Sequence, residues 1–168
     1  MKLINKLSIV VSVYNEEAVL DKFYETILPI LEGIDSDYEL IFVNDGSRDA
    51  SPAILDRLAM DSKKVKVIHF SRNYGHEAAM IAGIDYSSGD GIVCMDADLQ
   101  HPVECIPQIL DTFNQGYEVI SMVRTANKSA GFVKNLTSGL FYKILNKISE
   151  VHFEENASDF FAITRKPA

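Results

Sequence analysis

Gly91-Ile92-Val93-Cys94-Met95-Asp96-Ala97-Asp98-Leu99-Gln100-His101-Pro102 runs from an apolar stretch into two carboxylates one residue apart, then into a proline that suits the first turn of a helix. It reads as a strand ending in acids, and the same unit recurs along the chain. Runs rich in Val and Ile lie at roughly 7–13, 38–43, 65–70, 91–95 and 117–122. Stretches of helical period separate them: about 16–32 behind a capping Asn15, about 52–61 behind Ser51-Pro52, about 76–87 after Gly75, and one from His101-Pro102 to about 115. That alternation predicts an α/β fold, a parallel sheet covered by helices.

The 168 residues suit one domain, 1–168, with no internal repeat or linker. Apolar residues make up 47%, which excludes a disordered or collagen-like chain. A net charge of -8 argues against nucleic acid as a partner, because displacing counterions needs a basic surface. Cys94 and Cys105 lack the spacing of a zinc or redox pair and read as free buried thiols of a reducing compartment. The apolar N-terminal run is too short for a leader, and no run is long enough for a membrane span, so a cytoplasmic location is expected. Thr164 to Ala168 supplies no closing element, and more chain is expected to follow.

In open parallel sheets, ligands bind beyond the carboxyl ends of the strands. That rule selects Tyr14-Asn15-Glu16, Asn44-Asp45-Gly46-Ser47, Ser71-Arg72-Asn73, Asp96-Ala97-Asp98-Leu99-Gln100 and Arg124. Asp96 and Asp98, two apart in an extended segment, share a face and repel unless a cation lies between them; magnesium held by carboxylates and substrate phosphates meets that need. The alternative is a solvated acidic loop before a helix. Asp45-Gly46-Ser47 alone is turn chemistry, but its place on the same edge lets Asp45 accept hydrogen bonds from a base or ribose, with no structural duty expected of it. Tyr14 either stacks on a base or packs, and Glu16 is equally a first-turn acid of the following helix. His76 and Glu77 read as exposed first-turn residues. The four histidines are scattered and suggest no metal cluster, although His101 is close in sequence to the acidic pair.

From Val119 to Ser149 the charged residues are Arg124, Lys128, Lys134, Lys143 and Lys147, all basic. Two readings stand side by side: a buried helix with snorkelling lysines, or a surface that meets an anionic membrane or a phosphate. The chain has neither G-x-G-x-x-G between a strand and a helix nor G-x-x-x-x-G-K-[ST], which removes ordinary NAD and P-loop enzymes.

Four segments in order, Ser12-Val13-Tyr14-Asn15-Glu16-Glu17, Val43 to Asp49, Ser71 to Ala79 and Met95 to Pro102, resemble the family 2 glycosyltransferases of the GT-A fold. Within that family the third and fourth are most similar to the dolichol-phosphate mannose synthase and bactoprenol glucosyltransferase group. The resemblance implies a Rossmann-like open, mostly parallel sheet with helices on both faces. It implies a UDP- or GDP-sugar donor with base and ribose near Tyr14, Glu16 and Asp45, a Mg or Mn ion at Asp96, Asp98 and Gln100, and Arg124 near the phosphates. Ser158-Asp159-Phe160 resembles the segment that brings an acid to the acceptor, which makes Asp159 a site residue beside Asp96 and Asp98. Two departures stand out: Ser12 where the family usually has proline, and Asn44 where it often has aspartate. The implied reaction is an inverting transfer to a polyprenyl phosphate, with the full-length protein at the inner face of the cell membrane. A saccharide hydroxyl acceptor in polysaccharide synthesis, or a truncated nucleotide-sugar-binding module without turnover, are the alternatives. The sequence carries no sign of oligomeric state.

Overall fold

A computed structural model describes residues 3–123 and 157–165 of the chain. At the centre lies β1 (Lys6–Val13), parallel on one side to β2 (Asp37–Asn44) and on the other to β4 (Gly91–Asp96). β3 (Val65–His69) extends the parallel set beyond β2. Beyond β4 come β6 (Ala157–Thr164), which is antiparallel to β4, and β5 (Val119–Val123), so the order is β3-β2-β1-β4-β6-β5. The helices are α1 (Leu20–Gly33), α2 (Ser51–Asp61), α3 (His76–Tyr86) and α4 (Ile106–Asn114), the last entered through a 3-10 turn at Val103–Cys105.

Both faces of the sheet are covered, because side chains alternate and both sets in the central strands are apolar. On one face Val10, Ile41, Val43, Ile92 and Cys94 pack against Ala79 and Met80 of α3. A Cβ on Gly83 would stand 2.2 Å from the Val10 side chain, so glycine there lets α3 lie directly on β1. On the other face Phe23 of α1 meets Phe42 edge-on at 6.1 Å, and Phe113 of α4 closes on Gly91. The expected mostly parallel α/β sheet with helices on both faces is what the chain forms.

Three details differ from the sequence reading. α1 starts at Leu20 rather than near residue 16: Asn15 adopts a left-handed φ of 54°, and its side chain accepts from Arg48 N–H instead of capping the helix. β6 was not anticipated. It buries Phe160 and Ala162 and pairs with β4. Of the two free thiols only Cys94 is buried, and burial pushes its pKa up to about 12; Cys105 is half-buried.

The chain divides into two compact units, Met1–Ile120 with Phe160–Ala168, and Ser121–Asp159. The basic stretch from Arg124 to Lys147 lies outside the described residues. Among the described residues no helix is long and apolar enough to cross a membrane.

At the opposite end of the sheet from the strand-end acids, Glu39 is 2% exposed. Burial alone would raise its pKa, but hydrogen bonds from Lys66, Ser8, Lys6 and the Ser88 N–H outweigh that and hold the carboxyl well below its usual range. Glu39→Ala leaves Ser8 and the Ser88 N–H without their acceptor and is expected to cost about 2–4 kcal/mol at neutral pH. A depressed carboxylate pKa contributes stability above the unfolded-state value and loses it as pH falls through the folded one. The gap between wild type and variant in urea titrations should therefore be full at pH 7 and shrink below about pH 4.5; a pH-independent gap would contradict this account of Glu39.

Candidate functional site

β1 and β2 end level with one another, Val13 opposite Asn44, and the loops that follow are tied together. Asn15 N–H donates to Ser47 Oγ, Glu16 N–H to Ser51 Oγ and Glu17 N–H to Asp49 Oδ2, at 2.9, 2.9 and 3.0 Å. In the other direction Arg48 N–H donates to Asn15 Oδ1 and Ala50 N–H to Glu17 Oε2, at 2.8 and 2.7 Å. These polar residues satisfy backbone donors that have left the sheet. They also fix Tyr14, 44% exposed, and the half-buried Glu16 at the strand edge.

The second loop holds the third. Gly46 has φ 68°, and a Cβ there would stand 2.3 Å from the Arg72 carbonyl carbon, so only glycine allows 71–75 to come so close. Asp45 then accepts from Tyr74 N–H at 2.7 Å and Gly75 N–H at 3.0 Å, and is 2% exposed. This corrects the expectation that Asp45 has no structural duty: it lines the site and also clamps the loop that starts α3. Asn44, where the resemblance often has aspartate, accepts from Ser47 N–H and donates through Nδ2 to His69 Nδ1, whose Nε2 faces Asp56 at 3.0 Å. An amide can donate to a ring nitrogen as a carboxylate cannot, so asparagine suits this position.

Asp96 ends β4 opposite Ser12 of β1. The His101 Nδ1 accepts from Asp96 N–H at 3.1 Å, while the buried ring stacks on Phe160 of β6 at 5.2 Å. On the α3 side, His76 Nδ1 lies 3.3 Å from Asp96 Oδ1 and 3.1 Å from Ser12 Oγ. Past Asp96 the chain turns through Leu99, φ 59°, and Asp98 Oδ1 accepts from Gln100 N–H.

These elements enclose a cleft of about 330 Å³. Six residues selected from the sequence line it, Tyr14, Glu16, Asp45, Asn73, Asp96 and Asp98, together with Ser12 and His76. Gln100 is exposed and adjoins the cleft through Asp98 without lining it. Arg124 lies outside the described residues; Asp159 falls within β6, with its side chain outside them. One residue escaped the sequence reading: His76 is not a free first-turn residue. His101, singled out in the sequence only for its nearness to the acidic pair, touches the Asp96 backbone. The signal for His76 was the strand parity of Ser12 and Asp96, which face the helix that His76 opens.

The electrostatics of the cleft are anionic. Glu16 is raised above its usual carboxylate pKa, first by burial and then by the charges of Asp98, Asp96 and Asp49. Among the described residues no three His, Cys, Asp or Glu side chains form a ready metal cage. Two carboxylates within a concentrated negative field fit a hard divalent ion that keeps most of its coordination for water and phosphate oxygens.

The profile of glycosyl transferase family 2 matches residues 8–168, nearly the whole chain. The chain belongs to this family. Within family 2 it is 42% identical, over 95% of its length and 49% of the relative's, to the uncharacterized glycosyltransferase YkcC of Bacillus subtilis. It is 38% identical to the bactoprenol glucosyl transferase of Shigella phage SfV, over 96% of the chain and 52% of that protein. The chain thus spans about half the length of the curated relatives it matches. Among solved structures, glucosyl-3-phosphoglycerate synthase from Mycobacterium tuberculosis, in complex with Mn2+, UDP-glucose and phosphoglyceric acid, superposes with a TM-score of 0.66 at 21% identity, over 95% of this chain and 56% of that one. That likeness establishes a GT-A-like, Rossmann-like α/β fold, and the bactoprenol enzymes of the resemblance are relatives of this chain.

Asp45→Ala removes the acceptor of two loop N–H groups and is expected to destabilise the domain by about 2–3 kcal/mol. Asp45→Asn keeps one acceptor oxygen and should recover part of that loss. Thermal unfolding of the two variants checks this; an Asp45→Ala domain as stable as wild type would show that the loop holds itself.

Proposed function

We propose that this cleft binds the nucleoside diphosphate of a UDP- or GDP-sugar, and that the longer protein transfers the sugar with inversion to a polyprenyl phosphate at the cytoplasmic face of the membrane. The observation that carries the reading is the meeting in one strand-end cleft of Asp96, Asp98 and a Glu16 carboxyl whose pKa is raised by burial and then by their charge. Two further diphosphate charges would worsen that repulsion, so donor binding here calls for a cation, Mg or Mn, at Asp96 and Asp98 with Gln100 beside them. When bound, such an ion neutralises charge on the departing diphosphate. The Mn2+ and UDP-glucose of the mycobacterial synthase support this choice.

The chain's own residues supply the rest. Tyr14 offers an exposed ring face to a base, and Glu16 and Asp45 offer carboxylate acceptors to base or ribose N–H and O–H groups. Arg124 is assigned to the phosphates and Asp159 to the acceptor side. A phosphate acceptor has its second pKa near ~6 and is already anionic at neutral pH, so it attacks without a strong base. A sugar hydroxyl would need one, and Asp159 would fill that role. The bactoprenol glucosyl transferase relatives favour the lipid phosphate.

Calorimetric titration of the chain with UDP and GDP, with Mn2+ or Mg2+ and with chelator, tests the donor half. One of the two nucleotides should bind at least ~10-fold more tightly with metal, and Asp98→Ala should abolish that gain. Equal affinities with metal and chelator, or an unchanged gain in Asp98→Ala, would remove the assignment. A panel of polyprenyl phosphate and oligosaccharide acceptors with the longer protein decides the acceptor half.

A further inference from the structure

We propose that His76 is a positioning residue for Asp96, held in turn by Ser12, and that this pair sets the affinity of the cleft for a divalent cation. The inference rests on the reading of Asp96 as a cation ligand. It concerns a residue whose position in sequence suggests only an exposed helix start.

Ser12 and Asp96 are register partners on neighbouring parallel strands, and both project towards α3 because they keep the parity of Val10 and Cys94, which pack on that helix. Gly83 lets α3 lie against Val10, and the Asp45 clamp on Tyr74 and Gly75 fixes the residues just before it. Between those two constraints the first residue of α3 has little freedom. Its ring nitrogen Nδ1 stands 3.1 Å from Ser12 Oγ and 3.3 Å from Asp96 Oδ1. Nδ1 is within hydrogen-bond distance of Ser12 Oγ, and a proton on that nitrogen also faces the Asp96 carboxylate, which can only accept.

A carboxylate at a strand end rotates freely about its last bond unless something holds it, and a ligand that must be ordered upon binding weakens the site. Hydrogen bonds from outer partners orient metal-ligating side chains, and their removal typically costs 10–100-fold in metal affinity. His76 occupies such a position, and its side chain is only 36% exposed. Proline, usual in place of Ser12 in the resembling family, has no hydroxyl to offer, so in this protein the histidine has an anchor on β1 that a proline would not supply.

The test uses the 168-residue chain, with whichever of UDP or GDP binds the wild type. Mn2+ affinity is read from the electron paramagnetic resonance signal of free Mn2+ in the presence of that nucleotide, and nucleotide affinity in chelator is read by calorimetry. His76→Ala should weaken Mn2+ binding about 10-fold or more, a larger loss than any it causes in nucleotide affinity measured in chelator. His76→Asn, whose amide N–H reaches the place of Nδ1, should retain Mn2+ affinity within about threefold. Ser12→Ala should shift Mn2+ binding in the same direction by a smaller factor and add nothing to His76→Ala, because it acts only through the ring. Thermal unfolding confirms that each variant is folded. Unchanged Mn2+ affinity in His76→Ala, or equal losses in His76→Ala and His76→Asn, would overturn the role of His76 while leaving Asp96 as a ligand. A wild-type chain that binds no Mn2+ with either nucleotide would overturn both this inference and the cation reading beneath it.

Discussion

Parallel pairing without slippage is the constraint on which this site depends. β1 sits between β2 and β4 in a register that puts Val13 opposite Asn44 and Ser12 opposite Asp96, so three strands deliver their last residues at one level. A shift of one residue in either pairing would turn Ser12 or Asp96 to the other face, away from α3. The register is secured because both faces are apolar and fully packed: a slip would expose or misplace Val10, Ile41 and Cys94 on one side and Phe42 and Val93 on the other. The apolar sheet interior therefore positions the polar chemistry at its edge.

Beyond the strand ends, the loops are held by a relay of side-chain to backbone hydrogen bonds. The first loop is tied to the second through Ser47, Asp49 and Ser51, and the second to the third through Asp45. Each carboxylate or hydroxyl in this relay replaces a sheet partner that the backbone has lost. The arrangement leaves Tyr14, Glu16, Asp96 and Asp98 around one opening, where burial and, after it, the charges of Asp98 and Asp96 raise the Glu16 pKa. A cluster of like charges is costly in the free protein, and its presence at the ligand edge of the sheet gives the reading of a cation-assisted site its physical basis.

Much of this was legible in the sequence. The Val- and Ile-rich runs announced five of the six strands within a few residues, and the rule that ligands gather at carboxyl ends selected Tyr14, Glu16, Asp45, Asp96 and Asp98 before any contact was known. What escaped has specific causes. β6 is antiparallel to β4 and opens on Ala, Ser and Asp before Phe-Phe-Ala-Ile-Thr, a composition that carries no parallel-strand signal. The start of α1 was placed early because Asn15 is a good capping residue, yet its side chain is taken by Arg48 N–H from another loop. Asp45 looked like turn chemistry or a ligand group and is also a clamp, which only the approach of 71–75 across Gly46 reveals. His76 required knowing that α3 lies over Ser12 and Asp96, a fact of tertiary structure rather than of local pattern.

The central claim is that Asp96 and Asp98 hold a divalent cation that bridges to a nucleoside diphosphate in this cleft. Anomalous diffraction at the manganese absorption edge, from crystals of the chain grown with Mn2+ and the nucleotide that binds it, tests this most directly. The account predicts a peak within coordination distance of both carboxylates and of diphosphate oxygens, with the base towards Tyr14. Nucleotide density in the cleft with no peak at Asp96 and Asp98, or a peak bound elsewhere on the domain, would contradict it.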